Sequence, residues 1–173
     1  SEGNTIFNSE SRQCEGCQQI SYLSKKIPKI KNNFKQIMSK ETAYQMTSIL
    51  EGTVKRGTAK GLKDLNLDLG GKTGTTNNNT DTWFVGFSSN YVIGVYVGYD
   101  EPSSLGKYET GSRTAMPIFK AFVKNAVKKE NARPFKIPQG IKMLVVNSNT
   151  GERASYNDES IIIEAFKEKD LVN

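Results

Sequence analysis

A chain of 173 residues with 36% hydrophobic and 24% charged side chains and a formal charge of +6 has the composition of one soluble globular domain, or part of one, rather than of a disordered or fibrous chain. It contains no histidine, which excludes a Ser-His-Asp triad, a Cys-His dyad and any histidine metal ligand supplied by this chain alone. It starts at Ser1, with no basic-then-apolar signal segment and no apolar run near the roughly 20 residues of a spanning helix, so an export signal or membrane anchor is expected outside these residues.

Residues 1–36 mix polar, Gly, Cys and Lys residues, include Pro28, and read as loop and surface extension. Part of the positive charge is concentrated in Lys25, Lys26, Lys29, Lys31 and Lys35. The few neighbouring aromatics form no stacking platform, so a solvated surface is expected there and nucleic acid is not expected as a partner. Cys14-Glu15-Gly16-Cys17 places two thiols two residues apart, a spacing shared by redox pairs, half zinc sites and small disulfide loops. No other Cys or His is present to complete a metal site, and no strand-then-helix pattern surrounds the pair as in thioredoxin-like proteins.

From Ser39 to Arg56, Ala43, Met46, Thr47, Leu50 and Val54 recur at helical intervals, with Ser39 as N-cap and Gly57 as stop, which predicts a helix of about four turns. Gly57 to Asp68 reads as a short element or turn, and the backbone freedom of Gly70-Gly71 suits an abrupt entry into the next strand. Three strands are then expected at Lys72 to Thr76, Thr82 to Ser88 and Tyr91 to Tyr99, with Gly94 and Gly98 as sites of close packing. The Asn-rich stretch 77–81 and Ser88-Ser89-Asn90 read as hairpin connections, which makes an antiparallel meander the economical topology.

After the loop 100–114, Pro117 lies in the first turn of a helix whose Ile118, Phe119, Phe122, Val123, Ala126 and Val127 form one apolar face. Ile141 to Val146 is strand-like, Asn149-Thr150-Gly151 is a turn, and Ser160 to Lys169 is strand or short helix. The fold class is α/β (α+β), with an antiparallel sheet packed by the Met46 and Phe122 helices. Three regions are expected: 1–38 as an N-terminal extension with the Cys pair, 39–140 as the main body, and 141–173 as a C-terminal strand and tail.

Gly70-Gly71-Lys72-Thr73-Gly74-Thr75-Thr76 invites two functional readings. A phosphate-binding loop needs a glycine five positions before Gly-Lys-Thr and a helix directly after it. Asn66 stands at that position and an Asn-rich turn comes next, so the nucleotide reading fails on both counts. The alternative is a substrate-binding strand, in which Lys72 faces an anionic substrate, hydroxyls flank Gly74, and the glycine lets substrate backbone lie close. Arg56-Gly57-Thr58 reads as a helix-end turn, with help in positioning that strand as the other option. Trp83, Phe84 and Phe87 are expected mostly in the core, one of them lining the cleft, and Tyr108 to Gly111 as an exposed loop near its mouth.

The ordered series Thr42 to Gly52, Val54 to Thr58, Gly71 to Thr76, Asp81 to Phe87, Gly94 to Asp100 and Glu109-Thr110-Gly111 resembles class A, bifunctional penicillin-binding proteins of the 1A subgroup, over roughly Arg12 to the C-terminus. The resemblance implies a penicillin-binding transpeptidase, β-lactamase-like fold, and acyl transfer in peptidoglycan cross-linking on the periplasmic or extracytoplasmic face of a bacterial inner membrane. It implies a stem peptide or a β-lactam as ligand and no cofactor or metal. By motif, Lys72 supports the electrostatics and proton traffic of the site, and Thr73 and Thr75 bind the donor carboxylate. The Thr75 N–H serves as an oxyanion donor, Gly74 keeps the edge open, and Thr76 completes the substrate-binding set. Residues 12–17 are similar to a Cys-pair insertion in some members, and export would favour a Cys14–Cys17 disulfide.

The family's Ser-x-x-Lys nucleophile and Ser-x-Asn precede Lys-Thr-Gly in chain order. Here Ser104-Leu105-Gly106-Lys107 and Ser88-Ser89-Asn90 both lie downstream in loop-like sequence, so they read as coincidental. The chain is therefore expected to carry one wall of a cleft, inactive alone, and completed by an N-terminal half of the domain. Two other classes stay open: a non-catalytic cell-wall or protein-binding module using the same basic cleft, and a cytosolic redox or metal-binding protein built on Cys14 and Cys17.

Overall fold

The structure is a computed structural model, and it describes residues 12–15, 29–32, 36–127 and 132–171. Its backbone divides into two compact units, Ser1–Ser39 and Lys40–Asn173.

In the first unit, β1 (Arg12–Glu15) and β2 (Lys29–Asn32) pair antiparallel, with Arg12 opposite Asn32 and Glu15 opposite Lys29. This corrects the expectation of loop throughout residues 1–36. Neither segment has the alternating apolar pattern that marks a half-buried strand, so the pairing has no local signature. The expected Cys14–Cys17 link, and with it most of the lysine-rich stretch, lies outside the described residues.

The second unit begins with α1 (Lys40–Lys55), followed by a 3₁₀ helix over Lys60–Leu65. The strands β3 (Gly70–Thr75), β4 (Asp81–Phe87) and β5 (Val92–Gly98) form the expected antiparallel meander in the order β3-β4-β5. Gly71 lies opposite Gly86, Thr73 opposite Phe84 and Thr75 opposite Thr82, so these six residues share one face of the sheet. Thr82, Phe84 and Gly86 are buried while Trp83 and Val85 are exposed, which identifies that face as the covered one.

The cover is α2 (Ala115–Ala126), whose Phe119 meets Phe84 edge to face with ring centroids 4.8 Å apart. Both rings are fully buried, in one cluster with Val54, Leu62, Leu65, Leu69, Ala115 and Val123. Gly86 makes this approach feasible, because a Cβ there would sit 2.5 Å from the Phe119 ring. Packing of this kind also accounts for Gly70 and Gly71, expected to serve through free backbone angles. Neither has a positive φ, and side chains there would meet Phe87 at 2.6 Å and Phe84 at 2.8 Å.

Three sequence expectations need correction here. On α2, Ala115, Phe119 and Val123 face the core, but Ile118 and Phe122 are each 52% exposed and Ala126 is exposed. Two neighbouring stripes at i, i+4, i+8 both read as apolar, and only one can point at the sheet. On α1, Ala43 and Met46 are exposed, and the packed end is Gly52 and Val54. Gly94 has nothing closer than 4.0 Å to a built Cβ, whereas Gly98 is crowded by Tyr96 and Asp81 as expected. Gly57 follows the end of α1 as the expected stop, by close approach to Thr53 and not by a left-handed φ.

The strands β6 (Ile141–Asn147) and β7 (Ile161–Lys167) form a separate antiparallel hairpin, and the residues after β7 continue as a 3₁₀ helix over Glu168–Asp170. The hairpin is fastened to α1 by Gln45 Nε2, which donates to Ala165 O at 3.1 Å, and to the turn after α1 by an Arg56–Glu164 ion pair. Among the described residues no helix is long and apolar enough to cross a membrane.

Candidate functional site

Within the described sheet β3 is an edge strand, and three hydrogen bonds establish which of its backbone groups face outward. Thr53 Oγ1 on α1 donates to Gly71 O at 2.7 Å, and Lys72 Nζ donates to Thr73 O at 2.8 Å, so both carbonyls point away from β4. Thr76 N donates across the turn to Asp81 O at 3.0 Å, which puts the alternate residues on the β4 side. By the alternation of an antiparallel ladder, the Thr75 N–H also faces the free edge. The last turn of α1 reaches this edge at Gly71, and among the described residues no strand pairs with the edge from Thr73 onward.

Side chains divide just as regularly. Thr73 and Thr75 project on the α2 side of the sheet, about 7 Å apart as next-but-one residues of a strand, and Lys72 projects on the other. Among the described residues no carboxylate pairs with Lys72. On its side lie Trp83 and Tyr96, 44% and 49% exposed, with ring centroids 5.0 Å apart. Of the three aromatics expected mostly in the core, Phe84 is buried and Phe87 is half-buried beside Phe135, ring centroids 5.5 Å apart, whereas Trp83 is exposed at the open face with Tyr96. Thr58 Oγ1 lies 3.5 Å from Thr73 Oγ1, which places the Arg56-Gly57-Thr58 turn beside the strand.

The turn after β3 is tied internally. Thr76 Oγ1 lies 2.8 Å from Thr80 Oγ1 and accepts from Asp81 N at 2.8 Å, so its hydroxyl is engaged in the turn. Asn78 and Asn79 take left-handed backbone angles, φ 61° and 53°, which asparagine tolerates. Asp81 closes the arrangement by accepting from Tyr96 OH at 2.6 Å and from Thr80 Oγ1 at 3.1 Å. The Tyr96 hydrogen bond foremost, then those from Thr80 and Thr76, hold the Asp81 carboxyl below the usual carboxylate range. The same bond, with some desolvation, pushes the Tyr96 phenol up.

The 99–114 loop is bound to this turn and to the strand. Leu105 N donates to Asn79 O at 2.8 Å, and Asn79 Nδ2 donates to Gly106 O and Lys107 O at 2.9 and 3.0 Å. Further on, Gly111 N donates to Thr75 Oγ1 at 3.2 Å. Gly111 is buried, which corrects the expectation of an exposed loop through that residue. Thr114 Oγ1 donates to Thr110 O at 2.9 Å and lies 2.6 Å from Thr82 Oγ1, so Thr82 must donate to Thr114. The sequence places Gly111 near the mouth of the cleft but shows neither its contact with Thr75 nor that of Thr82 with Thr114, because both contacts join positions more than thirty apart and leave no periodic trace.

The two downstream motifs have ordinary places. Ser104 Oγ accepts from Gly106 N at 3.2 Å, while Lys107 Nζ lies over the Tyr108 ring, 5.6 Å from its centroid. Ser88 Oγ accepts from Asn90 N and Tyr91 N at 3.2 Å in the β4–β5 turn, at the Gly70 end of the sheet. A groove of about 1010 Å³ lies between the first turns of α1 and residues 135–140, lined by Lys40, Tyr44, Phe135 and Pro138 among others, and includes no β3 residue.

Comparison with known proteins points to one family. Residues 15–124 match the model of the penicillin binding protein transpeptidase domain. The chain is 42% identical over 167 residues to penicillin-binding protein 1A of Rickettsia conorii, covering 95% of this chain and 21% of that protein. It is 40% identical over 136 residues to penicillin-binding protein 1A of Pseudomonas aeruginosa, covering 78% and 16%. The crystal structure of penicillin-binding protein 1A from Haemophilus influenzae superposes with a TM-score of 0.67 at 30% identity, over 76% of this chain and 21% of that one. The chain thus spans about a fifth of the length of these relatives.

Proposed function

The chain belongs to the penicillin-binding protein transpeptidase family, with the mixed helix and antiparallel-sheet fold of penicillin-binding protein 1A, and from that premise we propose that it is the substrate-binding part of a peptidoglycan D,D-transpeptidase. The observation that carries this reading is the free edge of β3, where the Thr75 N–H faces outward, the hydroxyls of Thr73 and Thr75 stand on one side and the Lys72 ammonium on the other.

In this reading a serine outside these residues, in a Ser-x-x-Lys segment, attacks the carbonyl of a D-Ala-D-Ala amide. The tetrahedral oxyanion receives the Thr75 N–H, D-alanine leaves, and an amine of a neighbouring strand takes the acyl group. A β-lactam enters as the donor does and leaves the serine acylated. Lys72 contributes positive potential and proton traffic, Thr73 and Thr75 hold the carboxylate, and Gly74 keeps the edge open to an extended peptide. Thr76 belongs to the substrate-binding set at one remove, since its hydroxyl holds the turn. The reaction belongs on the extracytoplasmic face of the membrane, where its substrate is.

Labelled penicillin tests this. The 173 residues alone should form no covalent adduct, and a polypeptide extended N-terminally to include the Ser-x-x-Lys segment should form one that is lost on changing its serine. An adduct on the 173 residues would put the nucleophile within them and overturn the division of labour. Retention on purified peptidoglycan that is lost on Lys72→Ala, with no acylation in either polypeptide, would make the chain a cell-wall binding module instead.

A further inference from the structure

We infer that Gly111 is a positioning residue for carboxylate recognition: its N–H fixes the Thr75 hydroxyl so that the hydroxyl proton is presented to the free edge of β3. This rests on the reading of that edge as the substrate site, and it adds a residue from a loop more than thirty positions away.

A threonine hydroxyl has one proton and two lone pairs, and in isolation it rotates to suit whichever partner arrives. Thr75 is not isolated. Gly111 N donates to its Oγ1 at 3.2 Å, so one lone pair is committed on the loop side and the proton must point elsewhere. Thr75 is exposed and no described side chain accepts from its hydroxyl, so the remaining direction leads to solvent at the edge. A hydroxyl that accepts one hydrogen bond is polarised to donate a stronger one. Such a donor favours an anionic oxygen over an ammonium or an amide N–H.

Only glycine fits the position. A Cβ on residue 111 would lie 2.7 Å from the Gly74 carbonyl oxygen and closer still to that of Trp83. Its φ is not in the left-handed region, so the requirement is close approach and not backbone angle. The loop holds this approach from both ends, through Asn79 at Leu105 to Lys107 and through the Thr82–Thr114–Thr110 hydrogen bonds at the start of α2.

The test is the rate of acylation by benzylpenicillin and by its methyl ester, in the protein that carries both this chain and its nucleophile segment. Gly111→Ala is expected to lower the ratio of acid to ester rates about tenfold, the scale of one hydrogen bond to a charged group, on top of any slowing that the added methyl imposes on both. A purely structural role would slow acid and ester equally, and that outcome, or no change in either, overturns the inference. Lys72→Ala and Thr73→Val separate this from the underlying reading: if they leave both rates unchanged, β3 is not the substrate edge. Should Gly111→Ala fail to fold, amide exchange at Gly111 decides. It is expected to speed up in Thr75→Val and to stay slow in Thr75→Ser, and equal exchange in the two overturns the inference.

Discussion

Tyr96 donates its phenolic hydrogen to Asp81 Oδ1 over 2.6 Å, joining the last residues of β5 to the first residue of β4 directly beside the turn that comes after Thr75. Both groups are open to water, yet each changes the other's titration. The Asp81 carboxyl is held low and the Tyr96 phenol high, in each case chiefly by this bond.

A group with a lowered folded pKa stabilises the fold above its unfolded pKa, and that stability is lost as pH falls through the folded value. For Asp81 the loss begins below the ordinary carboxylate range. Tyr96 works at the other end: its raised value stabilises the fold below the ordinary phenol range, and the gain is lost as pH rises past the folded value. Carbon-detected NMR titration of the Asp81 carboxyl should find it below that of an unfolded peptide and moved up in Tyr96→Phe. An unmoved midpoint would mean that Thr80 and Thr76 hold the carboxylate without Tyr96.

The sheet and helix layers depend on one aromatic contact. Phe84→Ala or Phe119→Ala should cost about 3 to 5 kcal/mol in urea unfolding, because each removes a fully buried ring and leaves a cavity. Gly86→Ala, which adds a single methyl where the Phe119 ring already lies, should cost about 1 to 3 kcal/mol by overpacking. If Gly86→Ala is neutral, α2 can slide on the sheet.

Thr82 separates shape from hydrogen bonding. It is fully buried and must donate to Thr114, so Thr82→Val keeps the volume but removes the donor, and should cost about 1 to 3 kcal/mol. Thr82→Ser keeps the hydroxyl and gives up only a methyl, about 1 kcal/mol. Equilibrium denaturation of the two variants side by side is the measurement, and a Ser variant less stable than the Val variant would contradict the directed chain of hydroxyls.

The Arg56–Glu164 pair is partly exposed, with side chains 41% and 21% accessible. Glu164→Gln should change global stability by less than about 1 kcal/mol. Its effect should appear locally, as faster amide exchange in β7 and not in β3 to β5. Uniform acceleration across the unit would show that the hairpin and the sheet unfold as one.

Much of this arrangement could be read from the chain, because α1, the three-stranded meander and β6 each announce themselves by period or by turn residues, whereas the segment of β7 reads equally as strand or short helix. What escaped has a common physical cause. The β1–β2 pairing joins polar segments whose partners lie far off in sequence. On α2, Phe119 and Phe122 are equally apolar, and only the position of Phe84 decides which is buried. The Lys-Thr-Gly strand was recognisable as residues, but the outward direction of the Thr75 N–H depends on the ladder with β4. Gly70, Gly71 and Gly86 were legible as glycines; that rings lie against them was not.

The turn between β3 and β4 also sets the phase of the whole strand. In a strand of period two, a one-residue slip exchanges the two faces. Adding or removing a single residue between Thr76 and Asp81 would send Lys72 to the side where Thr73 and Thr75 now stand, and the hydroxyls to the side of Trp83. The left-handed Asn78 and Asn79, the tied hydroxyl of Thr76 and the doubly held carboxylate of Asp81 therefore act as a phase lock. They keep the count that decides which face of the sheet carries charge and which carries hydroxyls.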